Sequence, residues 1–128
     1  MEFLLLVCTD STAPAYRAEE DNIGEWWDEV VRRGMTLAGD RLRPPADAAT
    51  VRVRDGAVTV TDGPFVETKD YIAGFDLLKC ADLDDAIDNA SRHPMARFGQ
   101  IEIRPVWPLD AEPETAESDT AKPEAAKG

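Results

Sequence analysis

Hydrophobic and polar positions along this chain fall into three patterns, each diagnostic of a different element. Phe3 to Cys8 is apolar on both alternating faces, as expected of a strand covered on both sides in the middle of a sheet. A loop carrying Pro14 follows. Ile23, Trp26, Trp27, Val30 and Val31 then recur at helical spacing with charges opposite, which predicts an amphipathic helix. Asn22 and Glu25 have the spacing of a capping box at its start. Gly34 ends it, with Arg32 and Arg33 in the last turn, where the helix dipole favours cations. Both tryptophans fit the apolar stripe, so they read as core rather than as a stacking surface.

Met35 to Arg43 reads as a second strand, closed by Pro44 and Pro45. Strict alternation returns between Thr50 and Thr61, interrupted by Asp55-Gly56, a two-residue hairpin signal. That turn pairs Val53 with Val58, Arg52 with Thr59 and Val51 with Val60, so the valines share one face. Thr61-Asp62-Gly63-Pro64-Phe65-Val66-Glu67-Thr68-Lys69 cannot continue a strand or helix through its Gly-Pro step. It is a polar loop on a rigid scaffold, where function tends to sit. Ile72 to Cys80 is a second mostly apolar strand. Asp82 caps another helix, with Leu83, Ala86, Ile87 and Ala90 as its buried stripe. Arg92 and His93 close that helix and Pro94 stops it. A last strand runs from Gln100 to Trp107.

Without the hairpin, this order is βαββαβ, a ferredoxin-like α+β arrangement with an antiparallel sheet. Phe3–Cys8 and Ile72–Cys80, the most apolar runs, take the central positions. Right-handed crossovers put both helices on one sheet face. The other face is expected to be closed by a second copy of the chain, giving a homodimer. Ile101 and Ile103 should point at the helices. Glu102 and Arg104 should point the other way, joined by Asp76, into a lumen between subunits. The competing reading makes Glu102 and Arg104 an interface ion pair without chemistry.

Composition narrows the partners. The formal net charge is -12, from 26 acids against 14 bases, a surface that repels phosphate backbones and argues against nucleic-acid binding. Six arginines between Arg32 and Arg54 read as a solvated basic edge. The two cysteines, Cys8 and Cys80, end apolar strands and read as small hydrophobes in a reducing compartment. No run reaches membrane-spanning length and the N-terminus lacks a signal-peptide pattern, so a cytoplasmic location is expected. Residues 1–108 form the expected domain. Residues 109–128, with six acids, two lysines and no aromatic residue, read as a disordered tail.

Candidate chemistry centres on the polar loop. Asp62 fits a general acid or base partnered by Glu67 or Lys69, although the default reading of an Asp before Gly-Pro is an Asx turn. Glu67, Asp70, Asp62 and Asp40 match no EF-hand spacing, so neither a metal nor another cofactor is expected. The single histidine, His93, reads either as a group interacting with a helix C-terminus or as a general base, the former being favoured.

Asp62-Gly63-Pro64-Phe65 with Glu67-Thr68-Lys69, and the closing run from Arg92-His93-Pro94 through Ile101-Glu102-Ile103-Arg104-Pro105-Val106, resemble the YCII-related family of the DGPF type. The resemblance covers the chain to about Trp107. It implies a bacterial, dimeric α+β barrel, with a His–Asp acid–base dyad proposed in the wider group. That dyad takes its His from the first helix and its Asp from after the second strand. Asp40 holds about the second position here, but the first helix contains no histidine. The resemblance also implies an association with extracytoplasmic-function sigma factors. The resulting expectation is a small-molecule ligand in an intersubunit pocket, with cofactor-free acid–base chemistry using Asp62, Glu67 and Asp40. Lys69, Asp76, Arg97, Glu102 and Arg104 would bind the ligand. The alternative is a non-enzymatic regulatory partner.

Overall fold

A computed structural model describes residues 1–111; most of the expected tail lies outside them. Strands β1 (Glu2–Cys8), β2 (Thr36–Arg41), β5 (Ile72–Lys79) and β6 (Gln100–Pro105) form an antiparallel sheet in the order β2-β5-β1-β6. The two most apolar strands are therefore central, as expected. Strands β3 (Ala49–Arg54) and β4 (Ala57–Asp62) make a separate two-stranded sheet. Helices α1 (Ile23–Arg32) and α2 (Leu83–Ser91) are followed, past Pro94, by a short α3 (Met95–Phe98) that the sequence reading did not anticipate.

The core lies between the sheet and the helices. Phe3 and Leu5 of β1 and Leu78 of β5 pack there with Trp26 and Val30 of α1, and with Ala86 and Ala90 of α2. Ile101 and Ile103 pack against this cluster from β6, as expected. On the opposite face Leu4, Leu6, Phe75 and Leu77 are only half-buried.

Several local expectations need correction. Asn22 does not cap α1 through its side chain. Its amide reaches the Arg92 carbonyl at 3.1 Å, and Asp21 Oδ1 instead accepts the Ile23 N–H at 3.0 Å. Both residues precede the helix, and the carboxylate is the stronger acceptor for its positive end. The apolar stripes are wider than the buried strip: Trp27 is 39% exposed, and Val31, Leu83 and Ile87 about half exposed. By contrast Asp82 caps α2 as expected, accepting the Asp85 N–H at 2.9 Å.

The hairpin has the expected register. Asp55 and Gly56 both take positive φ, 51° and 78°, the backbone that a tight turn matching strand twist requires. Its four valines are all exposed, between 57% and 68%. A two-stranded hairpin alone is marginal in water; the base of this one is closed by the Gly63 N–H on the Ala48 carbonyl at 2.7 Å and by the Thr50 hydroxyl on the Gly63 carbonyl at 2.9 Å.

Leu5→Ala should lower unfolding free energy by about 2–5 kcal/mol in urea titration, the range for a fully buried leucine. Asp82→Ala should cost about 1 kcal/mol through the lost cap. A Leu5→Ala cost under about 1 kcal/mol would contradict this assignment of the core.

Candidate functional site

Strand alternation decides where the chemistry sits. Leu78 and Cys80 point into the core, so Asp76 and Gly74, two and four residues before Leu78, point to the same side. Asp76 lies opposite Leu5 on one neighbour and Gly39 on the other. It is therefore on the helix face, not with Glu102 and Arg104 on the open face as the sequence suggested. Its residue surface is 8% exposed, and its carboxylate makes no hydrogen bond to another described residue. Burying a carboxylate without donors is costly. Gly39 makes room for it, because a Cβ there would overlap Asp76 Oδ1.

His93 approaches from the end of α2. It is 6% exposed, and its Nε2 lies 3.9 Å from Asp76 Oδ2. Its Nδ1 accepts the N–H of Met95 at 3.0 Å, at the start of α3. An imidazole nitrogen that accepts carries no proton, so the neutral ring holds its proton on Nε2, the nitrogen nearest Asp76. Trp26 fixes the ring by an edge contact, centroids 4.7 Å apart. Trp26 is itself anchored by its indole N–H on the Asn89 carbonyl at 2.8 Å.

These groups open into a cavity of about 570 Å³ whose walls include Val7, Trp26 and Trp27, with Asp21 and Arg41 also lining it. Asp21 is engaged by the Tyr16 hydroxyl and the Ile23 N–H, and the Tyr16 bond chiefly lowers its carboxyl below the usual range. Burial raises the Asp76 carboxyl to about 6. Burial also lowers the His93 imidazole to about 4, with Asp21 pulling weakly upward. Near neutral pH the pair is thus a carboxylate facing a neutral imidazole N–H. A separation of 3.9 Å is too long for a hydrogen bond, which leaves both groups free for a third molecule.

The other expected site residues do not converge there. Asp62, Glu67 and Lys69 are exposed, and the Asp62 carboxylate forms no Asx-turn bond among the described residues. Asp40 pairs with Phe75 and is exposed, so its side chain lies on the open face. Glu102 and Arg104 pair at 3.3 Å on the open face as expected, both more than half exposed. Arg97 meets Glu20 at 3.5 Å at the surface. Phe65, Val66, Thr68 and Asp70 line a second cavity of about 420 Å³ beside Cys8 and Tyr71. Asp70 accepts from the Thr9 and Ser11 hydroxyls there. Among the described residues no cluster of His, Cys, Asp and Glu could hold a metal ion, and no helix is long and apolar enough to cross a membrane.

Sequence comparison agrees with the fold. The YCII-related domain family matches residues 1–110, and the chain belongs to that family. An uncharacterised protein of Rhizobium meliloti (strain 1021) is 38% identical over 104 residues, spanning 76% of this chain and 84% of the relative. The family's expected first-helix histidine is absent from this sequence. The structure instead pairs a buried aspartate from β5 with the histidine after α2.

The perturbed carboxyl has a stability signature. Asp76 is raised above its unfolded value of 3.8, so its favourable contribution is present below that value and lost as pH rises through about 6. Asp76→Asn should therefore be more stable than wild type at about pH 7.5, by roughly 1–3 kcal/mol, an advantage that shrinks toward pH 4. His93 is depressed, so its effect has the opposite sign: acidification from about 6.5 to about 4 destabilises the fold. The two nearly cancel in wild type between about 4 and 6. His93→Gln should accordingly gain stability relative to wild type as pH falls through that window. Urea titrations across the range check both signs; an Asp76→Asn variant less stable than wild type near neutrality would contradict them.

Proposed function

We propose that this protein binds a small organic molecule in the Asp76–His93 cavity and moves a proton at a carbon next to a carbonyl. The observation that carries the reading is the Nδ1 contact of His93 with the Met95 N–H. It holds the imidazole neutral with its proton on Nε2, 3.9 Å from a buried carboxylate that accepts no hydrogen bond from the described residues. A carboxylate base beside a neutral imidazole donor is the division of labour used for enolisation. Asp76 takes the proton from carbon, the C–H electron pair becomes a C=C bond, and the carbonyl π pair moves onto oxygen. His93 Nε2–H donates a hydrogen bond to that oxygen as its charge grows. In a β,γ-unsaturated substrate, return of the proton from Asp76 to the γ carbon reforms the carbonyl and completes an isomerisation. Where the β carbon bears a leaving group, reforming the carbonyl expels that group with its bonding pair and completes an elimination, the proton staying on Asp76.

A carboxyl near 6 is well matched to this task, ionised at neutral pH yet a stronger base than an ordinary aspartate. The tryptophan and valine walls lower the local dielectric and strengthen the electrostatic contacts beside them. The alternative, a non-enzymatic partner of an extracytoplasmic-function sigma factor, predicts no buried ionisable cluster. Asp76 and His93 form one, which favours the small-molecule reading.

The half-buried open face and the exposed hairpin valines support a homodimer, and the two unbridged cysteines support a reducing, cytoplasmic compartment. The reacting groups lie on the helix face, so the cavity belongs to one subunit instead of the intersubunit lumen. Light scattering at micromolar concentration should give twice the chain mass; the monomer mass would remove the dimer and leave the cavity chemistry untouched.

The catalytic reading is tested by proton exchange in D₂O, followed by NMR, on a panel of small ketones and oxo acids. Wild type should accelerate exchange next to the carbonyl, with a rate that rises as pH passes about 6. Asp76→Asn should lose at least about a hundredfold, the usual worth of a positioned base. Exchange unaffected by Asp76→Asn would sink the proposal.

A further inference from the structure

The floor of the cavity carries information about what it takes, on the reading that Asp76 and His93 do the chemistry. Gly39 faces Asp76 across the β2–β5 pair, and Arg41 faces Gly74. Alternation puts all four on the helix face. The sheet is thus bare at two diagonal glycines, and a side chain stands at each of the other two corners: Asp76 and Arg41. Both glycines are closely packed, since a Cβ at Gly39 would overlap Asp76 and one at Gly74 would come within 3.0 Å of the Asp40 carbonyl oxygen. The glycines thus let Asp76 and the β2 backbone sit close together, and leave Asp76 and Arg41 as the two side chains rising from this patch of sheet.

Arg41 is the permanently charged cation lining the cavity. Diagonal neighbours in such a pair lie roughly 7–8 Å apart at Cα, within reach of a long side chain. Even so, the Arg41 guanidinium makes no ion pair or hydrogen bond among the described residues, with Asp76 or with any other acid. Most of the other arginines do: Arg17, Arg32, Arg33, Arg43, Arg92, Arg97 and Arg104 each meet a carboxylate. The acids bordering the cavity besides Asp76 are Asp21, held by Tyr16, and Asp40, whose side chain lies across the sheet. Asp21 and Asp76 repel an anion within the cavity, so a negative group is best placed against Arg41.

We infer that Arg41 is a specificity residue that receives the carboxylate of a short oxo acid. That contact sets the carbonyl oxygen against His93 Nε2 and the adjacent C–H against Asp76. A planar guanidinium suits this task because it meets a carboxylate through two parallel hydrogen bonds. Arg41 touches the substrate's charged end and takes no part in the proton transfer.

The test compares 2-oxobutanoate with its uncharged amide, 2-oxobutanamide, by NMR titration and by exchange in D₂O. Wild type should bind the acid about tenfold more tightly than the amide, the worth of one charge-assisted contact. Arg41→Gln should abolish that preference by weakening the acid alone, while Arg41→Lys keeps part of it. The preference should also fall as salt is raised. Equal binding of acid and amide, binding of neither, or an Arg41→Gln defect shared by both compounds would overturn the assignment. Arg41-dependent binding without exchange would keep the subsite and remove the enolisation reading; exchange of acid and amide alike would do the reverse.

Discussion

A carboxylate held out of water without a donor is the constraint on which the site depends. Asp76 is 8% exposed, and the free energy that other buried carboxylates recover from hydrogen bonds is not recovered here. The fold tolerates it for two reasons. Gly39 leaves space on the β2 side that any larger residue would take from the carboxylate, and the Asp76–His93 pair carries no net charge once it takes up a proton. A site of this kind is destabilising for the molecule, and proteins keep such groups where a reaction needs them.

The rest of the architecture serves to hold that pair. The central strands fix Asp76 by pairing on both sides, with Leu5 and Gly39 as its neighbours. The histidine is held by three elements at once: the end of α2 carries it, the first N–H of α3 fixes its tautomer, and Trp26 of α1 sets its ring. The short α3, immediately after Pro94, is therefore part of the site. The cavity so formed is lined by one chain, and a dimer across the open face would leave it intact.

Much of this fold was legible in the sequence. Asp55-Gly56 fixes the parity of the hairpin, and the valines then mark its faces without ambiguity. The two runs apolar on both faces had to be central, since only central strands are covered twice. That same property hid the site. In a strand apolar on both faces the alternation is not marked, so the sequence permits Asp76 on either side, and the structure has it on the helix face. Counting back in steps of two from Cys80 and Leu78 would have placed it, and would have put Gly74 beside it. His93 is 17 positions from Asp76, and nothing in local spacing brings them together; the crossover through α2 does. The conspicuous loop from Thr61 to Lys69 drew attention because polar residues crowd it, yet its charged side chains face solvent. Its Phe65, Val66 and Thr68 line a different cavity.

The most direct test of this account is a carboxyl titration of Asp76 by carbon NMR in the full chain, with imidazole nitrogen shifts of His93 read in the same samples. The account predicts an Asp76 midpoint of about 6, with His93 neutral and protonated on Nε2 throughout the range above about pH 5. An Asp76 midpoint at or below the ordinary aspartate value of 3.8, or a His93 ring that carries its proton on Nδ1, would contradict it.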